Sequence, residues 1–365
     1  MKAKQTKVDG PAHIENKRLA VAALTEAETA LASALERDED VTGTAAKYTA
    51  KLLAAMQEGA LGSENEAVIA VQRFKQAEMP FWSEEVRAEA NALIRSALFA
   101  ATPNNSAREK VENEKIAALD GVEITFSGER LNQFDAQVFE SILHLAREQS
   151  FRAEECQFSV SGYSILRTLG VENTVSSSRA VEDSLRRLRK AEFVIKWVGT
   201  RAKRVGGLIG FYDKTSEGHF RVGLVREITR MFEDDTTFMP RKLLEAVRRS
   251  PLASWLVRFY LSHEDPFSLT YEKLRELSGA TEKTPRNVRA RTKLALSSIA
   301  EKHAQLALED SDYAAKTGSE AWLVVDEGKT VAVAHHRSSK KHREAVATKA
   351  TEQAVKLAAK KALQK

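Results

Sequence analysis

Residues 157–170 read QFSVSGYSILRTLG, and they open the stretch, running on to Tyr212, that decides the fold. Phe158 and Val160 alternate with polar neighbours, the period of a half-buried strand. Tyr163, Ile165, Leu166 and Leu169 follow at helical spacing and end at Gly170. A polar turn, Asn173 to Ser178, leads into a second helix expected over 179–191. The apolar run FVIKWV at 193–198 comes next, then a loop with Arg201, Lys203, Arg204, Gly206 and Gly207, then a strand LIGFY at 208–212. Strand, helix, turn, helix and a hairpin with a basic tip is the order of a winged helix.

The second helix gives this order a chemical meaning. Val181, Leu185 and Leu188 stand at i, i+4 and i+7 and form one buried stripe. Arg179, Arg186, Arg187 and Arg189 lie off it, and Ser176, Ser177 and Ser178 offer an N-cap. A helix divided in this way fits a major groove, where Arg reads guanine and Ser bonds phosphates or bases. The basic hairpin tip would lie along the backbone, where Lys and Arg displace counterions. The plainer alternative is a solvated basic helix in an ordinary α+β domain. Helix and basic tip together favour DNA, with Ser178, Arg179, Arg186, Arg201, Lys203 and Arg204 as the expected contacts.

Length and composition set the frame. At 365 residues the chain has room for two or three domains. A net charge of +5 is mild, so the placement of charge must carry the argument. The one cysteine, Cys156, excludes an internal disulfide and a Cys-rich zinc site. No apolar run is long enough for a membrane span and no leader pattern opens the chain, so a cytoplasmic protein is expected. No phosphate-binding glycine loop is present: Gly206, Gly207 and Gly210 lack the following Lys-Ser pair. Neither a Ser/His/Asp set nor a paired-carboxylate site is evident, and Glu233-Asp234-Asp235 reads as a charged turn. The expectation is a protein that is not an enzyme, with no cofactor and no metal.

Residues 1–94 form an Ala-rich N-terminal extension, helical or partly disordered, with helical spacing in Leu19, Leu24, Leu52, Leu53 and Met56. Within it, Gln76, Met79, Phe81 and Trp82 make a short peptide that resembles the motif docking into the bacterial sliding clamp. Its aromatic pair would fill an apolar pocket. The alternative is an anchor that straps the N-terminal region onto the body.

A first winged-helix domain is expected over 95–232. Val122, Ile124 and Phe126 alternate as a strand, and a helix over about 133–147 presents Phe134, Val138, Phe139, Ile142, Leu143 and Ala146. Phe220, Val222, Leu224 and Ile228 close the domain. A second of the same order is expected over 233–334. Leu252, Trp255, Leu256 and Phe259 face one side of a helix, Phe267 to Leu269 is extended, and Tyr271 to Leu277 is a helix ended at Gly279. Thr284-Pro285 then caps and starts a long helix. Val288, Ala295, Leu296 and Ile299 point inward, while Arg286, Asn287, Arg289, Arg291 and Lys293 line the outer side and are the expected DNA contacts. The strands at 321–325 and 330–333 form a hairpin with an acidic tip, Asp326-Glu327, which leaves the contacts to the helix.

The tail, 335–365, carries nine Lys or Arg against Glu344 and Glu352. It reads as a basic helix with Val346, Ala350, Ala354 and Leu357 on one face, able to add phosphate contacts. His335, His336 and His342 lie there without a carboxylate or Cys at ligand spacing. The whole is an α+β chain of two tandem winged-helix domains, with an N-terminal extension and a basic tail.

Three segments bring a family into view. RSALF at 95–99 precedes a polar linker, VEITFSGERL at 122–131 precedes the helix built around Val138-Phe139, and SPLA at 250–253 leads to FYLSH at 259–263. Together they resemble plasmid replication initiators of the TrfA type over about 95–330. The resemblance implies a protein that binds direct repeats, the iterons, at a plasmid origin. It implies that both winged helices contact double-stranded DNA in the monomer and that the first can form a dimer interface instead. It further implies opening of an AT-rich segment and recruitment of the host replicative helicase and sliding clamp. A winged-helix repressor, dimeric on a palindromic operator, is the competing reading, and a protein-interaction module with solvated basic faces is a third.

Overall fold

The computed structural model describes residues 82–119, 121–147, 157–197, 203–215, 219–224, 236–317 and 322–362. Chain contacts divide the protein into Met1–Ala77 and a compact unit, Glu78–Lys365, and the described residues all lie in the second. Gln76, Met79 and Phe81 therefore lie outside the described residues, as does Arg201.

The elements run β1 (Val86–Ala90), α1 (Asn91–Ile94), β2 (Phe99–Ala100), β3 (Lys110–Ile116), β4 (Val122–Glu129), β5 (Leu131–Asn132) and α2 (Gln133–Ala146). Then come β6 (Gln157–Ser161), α3 (Gly162–Leu169), α4 (Val175–Lys190), β7 (Glu192–Trp197), β8 (Lys203–Gly206), β9 (Ile209–Lys214) and β10 (His219–Leu224). The remainder is β11 (Thr236–Pro240), α5 (Arg241–Val247), α6 (Pro251–Leu261), β12 (Leu269–Thr270), α7 (Tyr271–Ser278), α8 (Pro285–Glu309), α9 (Ser311–Thr317), β13 (Leu323–Asp326), β14 (Thr330–Ala334) and α10 (Lys340–Ala362). The fold is α+β.

Two parts of the chain repeat one order. In the first, α2, β6, α3 and α4 precede the β9–β10 hairpin, and the sheet runs β6-β10-β9. In the second, α6, β12, α7 and α8 precede the β13–β14 hairpin, and the sheet runs β12-β14-β13. Both place the strand before the helix pair beside the last strand of the hairpin. Helix capping explains the boundaries. Ser161, Thr174, Thr270 and Thr284 each accept a backbone N–H from the first turn of the helix that follows. The helix α4 thus starts at Val175, four residues before the sequence suggests, because Thr174 and not Ser176–Ser178 is its cap.

The first hairpin differs from the expectation. The strand at 192–197 does not pair with 208–212. It pairs with β4 on one side, Ile124 opposite Ile195 and Phe126 opposite Phe193, and with β8 on the other. These strands belong to a separate sheet, β3-β4-β7-β8, of which β7 and β8 lie in the chain between α4 and β9. Lys203 and Arg204 sit on its edge strand rather than at the tip of the hairpin beside α4. The reason is that alternation fixes which face of a strand is buried but not which neighbour it takes. Phe193 and Ile195 find apolar partners in β4 that the sequence places about 70 residues upstream.

Two apolar cores underlie the two parts. One joins Val138, Phe139, Ile142 and Leu143 of α2 to Ile165, Leu166, Val181, Leu185 and Leu188. It also takes in Trp82, Ala88, Ala90 and Leu93, upstream of residue 95. The other joins Trp255, Leu256 and Phe259 to Leu274, Leu277, Leu296, Ile299, Val331 and Val333. The boundary expected at 232–233 falls outside the described residues. Across it, β1 pairs antiparallel with β11, Val86 opposite Pro240.

The helix-ending glycines do more than stop their helices. Gly170 and Gly279 have φ of +62° and +61°, where only glycine is unstrained. Arg248 donates to the carbonyls of Leu169 and Gly170. A Cβ on Gly279 would lie 2.9 Å from the Ala100 Cβ, so the end of α7 packs directly on β2. The seam between the two parts is also polar. Arg258, 2% exposed on α6, donates to Glu89 of β1 at 2.7 Å and to Glu140 of α2. Its third guanidinium nitrogen reaches Ser254 Oγ at 2.7 Å. Burial pushes the Glu89 carboxyl up and Arg258 draws it back toward ionisation.

The C-terminal region is docked. Val346 of α10 packs with Val325, Ala332 and Ala334, and Lys349 reaches Glu327 at 2.8 Å. His335 is buried and donates from Nε2 to the carbonyls of Tyr260 (2.9 Å) and His263 (3.0 Å), while its Nδ1 accepts from the Arg337 N–H. Among the described residues no group of three or more His, Cys, Asp or Glu could hold a metal ion, and no helix is long and apolar enough to cross a membrane.

Candidate nucleic-acid interface

The helix α4 turns one face to the core and the other to solvent. Val181, Ser184, Leu185 and Leu188 are buried, and Ser178, Arg179, Arg186 and Arg189 are exposed. Arg186 pairs with Asp183 one turn earlier at 3.0 Å. Arg187 is withdrawn inward: it donates to Asp135 Oδ1 at 2.8 Å beside Ser184 Oγ, also on Oδ1, at 2.7 Å. Asp135 is fully buried and takes Arg108 on its other oxygen at 2.8 Å. One carboxylate thus fixes the roll of α4 against α2. The adjacent hairpin joins in, since Lys214 of β9 reaches Glu182 of α4 at 2.7 Å. Val175, at the N-terminus of α4, and Tyr163 on α3 are large apolar side chains left in solvent.

The second part brings its expected residues closer together. Thr284 caps α8 by accepting from Asn287 N at 3.3 Å, and Pro285 takes the first helical position. Val288, Thr292, Ala295, Leu296 and Ile299 are buried. Arg286, Asn287, Arg289, Arg291 and Lys293 are all exposed along one side of the same helix. Of these, Arg286, Arg289 and Lys293 line a cleft of about 700 Å³ with the start of α7 and the hairpin turn at Gly328-Lys329. Arg286, Arg289, Lys293 and Lys329 give its wall a cationic character, and Glu272 is the acid there.

Three of these cations carry internal partners. Arg291 pairs with Glu282. Arg289 and Lys293 both reach Asp326 Oδ2, at 2.7 and 2.9 Å, from successive turns of α8. Tyr271 OH (2.9 Å) and the Gly328 N–H (3.0 Å) donate to the other oxygen, Oδ1. The Arg289 guanidinium also lies 5.8 Å from the centre of the Tyr271 ring. Partial burial opposes ionisation of Asp326, but the bonds from Arg289, Lys293, Gly328 and Tyr271 outweigh it and hold its carboxyl well below the usual carboxylate range. The sequence marks Asp326 only as part of an acidic hairpin tip. Its role depends on partners 37 residues away, which no local spacing announces.

Trp82 is placed against its expected use. It is 4% exposed, and its Nε1–H donates to His144 Nδ1 at 2.9 Å. Arg147 Nε donates to the Trp82 carbonyl at 2.8 Å. Its indole packs against His144 of α2.

The TrfA protein family is matched over residues 42–302, well over half of the chain. Two solved structures are similar to it. One, of selenomethionine derivatives of domains 2 and 3 of RctB, has a TM-score of 0.43 and 12% identity, and the match covers 67% of this chain and 96% of that one. The other, of RctB domains 2–3 (residues 155–483), has a TM-score of 0.38 and 11% identity over 67% and 95%. No curated protein matches. The chain belongs to the TrfA family of plasmid replication initiators.

Proposed function

We propose that the two repeated parts are winged-helix domains and that the protein binds direct repeats at a plasmid origin. In this reading α4 and α8 enter successive major grooves and the hairpins β9–β10 and β13–β14 flank the backbone. The observation that carries it is the solvent side of α8. Arg286, Asn287, Arg289, Arg291 and Lys293 stand together on a helix whose other side is locked in the core and whose start is capped. Arg and Asn are the side chains whose geometry suits guanine and adenine edges. In the first domain Ser178, Arg179 and Arg186 take the corresponding place on α4, and Lys203 and Arg204, on the edge strand of the separate sheet, are assigned to phosphates only.

Two domains of the same order in one chain suit binding as a monomer to a non-palindromic repeat, which favours the initiator over a dimeric repressor. Family membership supports opening of the origin and recruitment of the host helicase and sliding clamp, with the host proteins performing the chemistry. This chain then acts by binding and supplies no catalytic group, cofactor or metal of its own. Trp82 is not assigned to clamp recruitment. The test is a competition assay with origin DNA and a random-sequence duplex for Arg286→Ala and Asn287→Ala. Each is expected to lose about 1–3 kcal/mol of discrimination. Unchanged discrimination in both would remove α8 as the reading helix.

A further inference from the structure

We infer that Asp326 is a specificity-determining residue, which withholds Arg289 and Lys293 from indiscriminate phosphate contact while holding them in place for the bases. The inference rests on the DNA-binding reading above. Two cations one turn apart on an exposed helix side attract any polyanion, whatever its sequence. Here the carboxylate of Asp326 stands 2.7 and 2.9 Å from both of them. The Asp326 side chain is 13% exposed, whereas those of Arg289 and Lys293 are 47% and 50% exposed. The acid is therefore fixed and the cations project past it.

The fixing is specific to this hairpin. Tyr271 OH and the Gly328 N–H occupy Oδ1, which leaves Oδ2 for the cations. Gly328 has φ of +96°, so the turn that presents its N–H needs glycine. Glu327, next in the chain, is directed to Lys349 on α10 at 2.8 Å instead. The hairpin tip is thus held between α8 and α10, with its acids divided between them.

Electrostatically, one carboxylate among two cations lowers the local charge from two to one. A phosphate arriving there must share both cations with a carboxylate already bonded to them. A guanine edge, neutral and rich in acceptors, can be met by the guanidinium N–H groups that Asp326 leaves over. The arrangement weakens the sequence-blind part of binding more than the sequence-reading part.

Asp326→Asn keeps the shape and the acceptor for Tyr271 and Gly328 but removes the charge. The affinity of wild type and variant is measured for a random-sequence duplex and for a duplex selected on the wild-type protein from a random pool, over a series of salt concentrations. The variant is expected to bind the random duplex at least threefold more tightly and to lose at least threefold in discrimination. Its plot of log K against log salt should steepen by about 1–2, since each freed cation adds about 0.9. Adding Arg289→Gln and Lys293→Gln to the variant should return the slope to the wild-type value or below. A variant with wild-type thermal stability and unchanged slope and discrimination would overturn the inference, as would a parallel loss of both affinities with no change in slope. Wild-type protein that binds neither duplex would remove the DNA-binding reading itself.

Discussion

Replacing Arg258 by Met tests how the two halves of the molecule are joined. The guanidinium is 2% exposed and lies between Glu89 of β1 and Glu140 of α2. Met fills similar space but leaves the carboxyls without their cation, although Arg87 stays 3.6 Å from Glu140. Removing one partner of a buried pair typically costs about 3–5 kcal/mol. Burial holds the Glu89 carboxyl raised even with Arg258 beside it, and losing the guanidinium raises it further. Urea unfolding followed by circular dichroism at pH 7.5 measures the cost, and with a slope near about 3 kcal/mol per molar the midpoint should drop by about 1–1.5 M. Adding Glu89→Gln should recover at least half of the loss. A cost under about 1 kcal/mol would refute the reasoning.

Further outcomes follow from the same contacts. Burial is the main reason that the His144 and His335 imidazoles are pushed down to about 4, so each stays neutral when folded and takes a proton more readily when unfolded. Their contribution to stability is present above about pH 6.5 and is lost as pH falls toward 4, at about 2 kcal/mol for each by pH 5, measured as urea stability of wild type against His144→Gln across that range. Gly279→Ala places a methyl 2.9 Å from the Ala100 Cβ on a left-handed residue, and thermal unfolding should show a loss of about 1–3 kcal/mol. Thr284→Ala removes the cap of α8 and should cost about 1 kcal/mol in the same assay, with weakened DNA binding because the first turn carries Arg286 and Asn287.

Much of the fold is written in local pattern. The stripe Val138, Phe139, Ile142 and Leu143 appears in the sequence at helical spacing and is buried as a unit, and Thr284-Pro285 announces the start of α8. Gly170 and Gly279 mark matching helix ends because a left-handed residue without a Cβ is a chemical requirement there. What pattern does not carry is pairing at a distance. The strand at 192–197 was legible as a strand, but its choice of β4 over 208–212 is a tertiary decision. Buried polar residues were missed for a related reason. Glu89, Asp135, Glu140 and Arg258 read as solvent-facing by residue type; Arg258 meets Glu89 and Glu140 from more than 100 positions away, and Arg108 and Arg187 meet Asp135, which makes their burial tolerable. The cations of α8 were legible as an exposed row. Their carboxylate partner, Asp326, was not.

A footprint of the purified protein on the DNA flanking its own gene, at near-physiological salt, is the most direct test of the central claim. Several protected direct repeats, each weakened by Arg286→Ala, are the predicted result. One protected palindrome would point to a repressor, and the absence of any protected site would contradict the account.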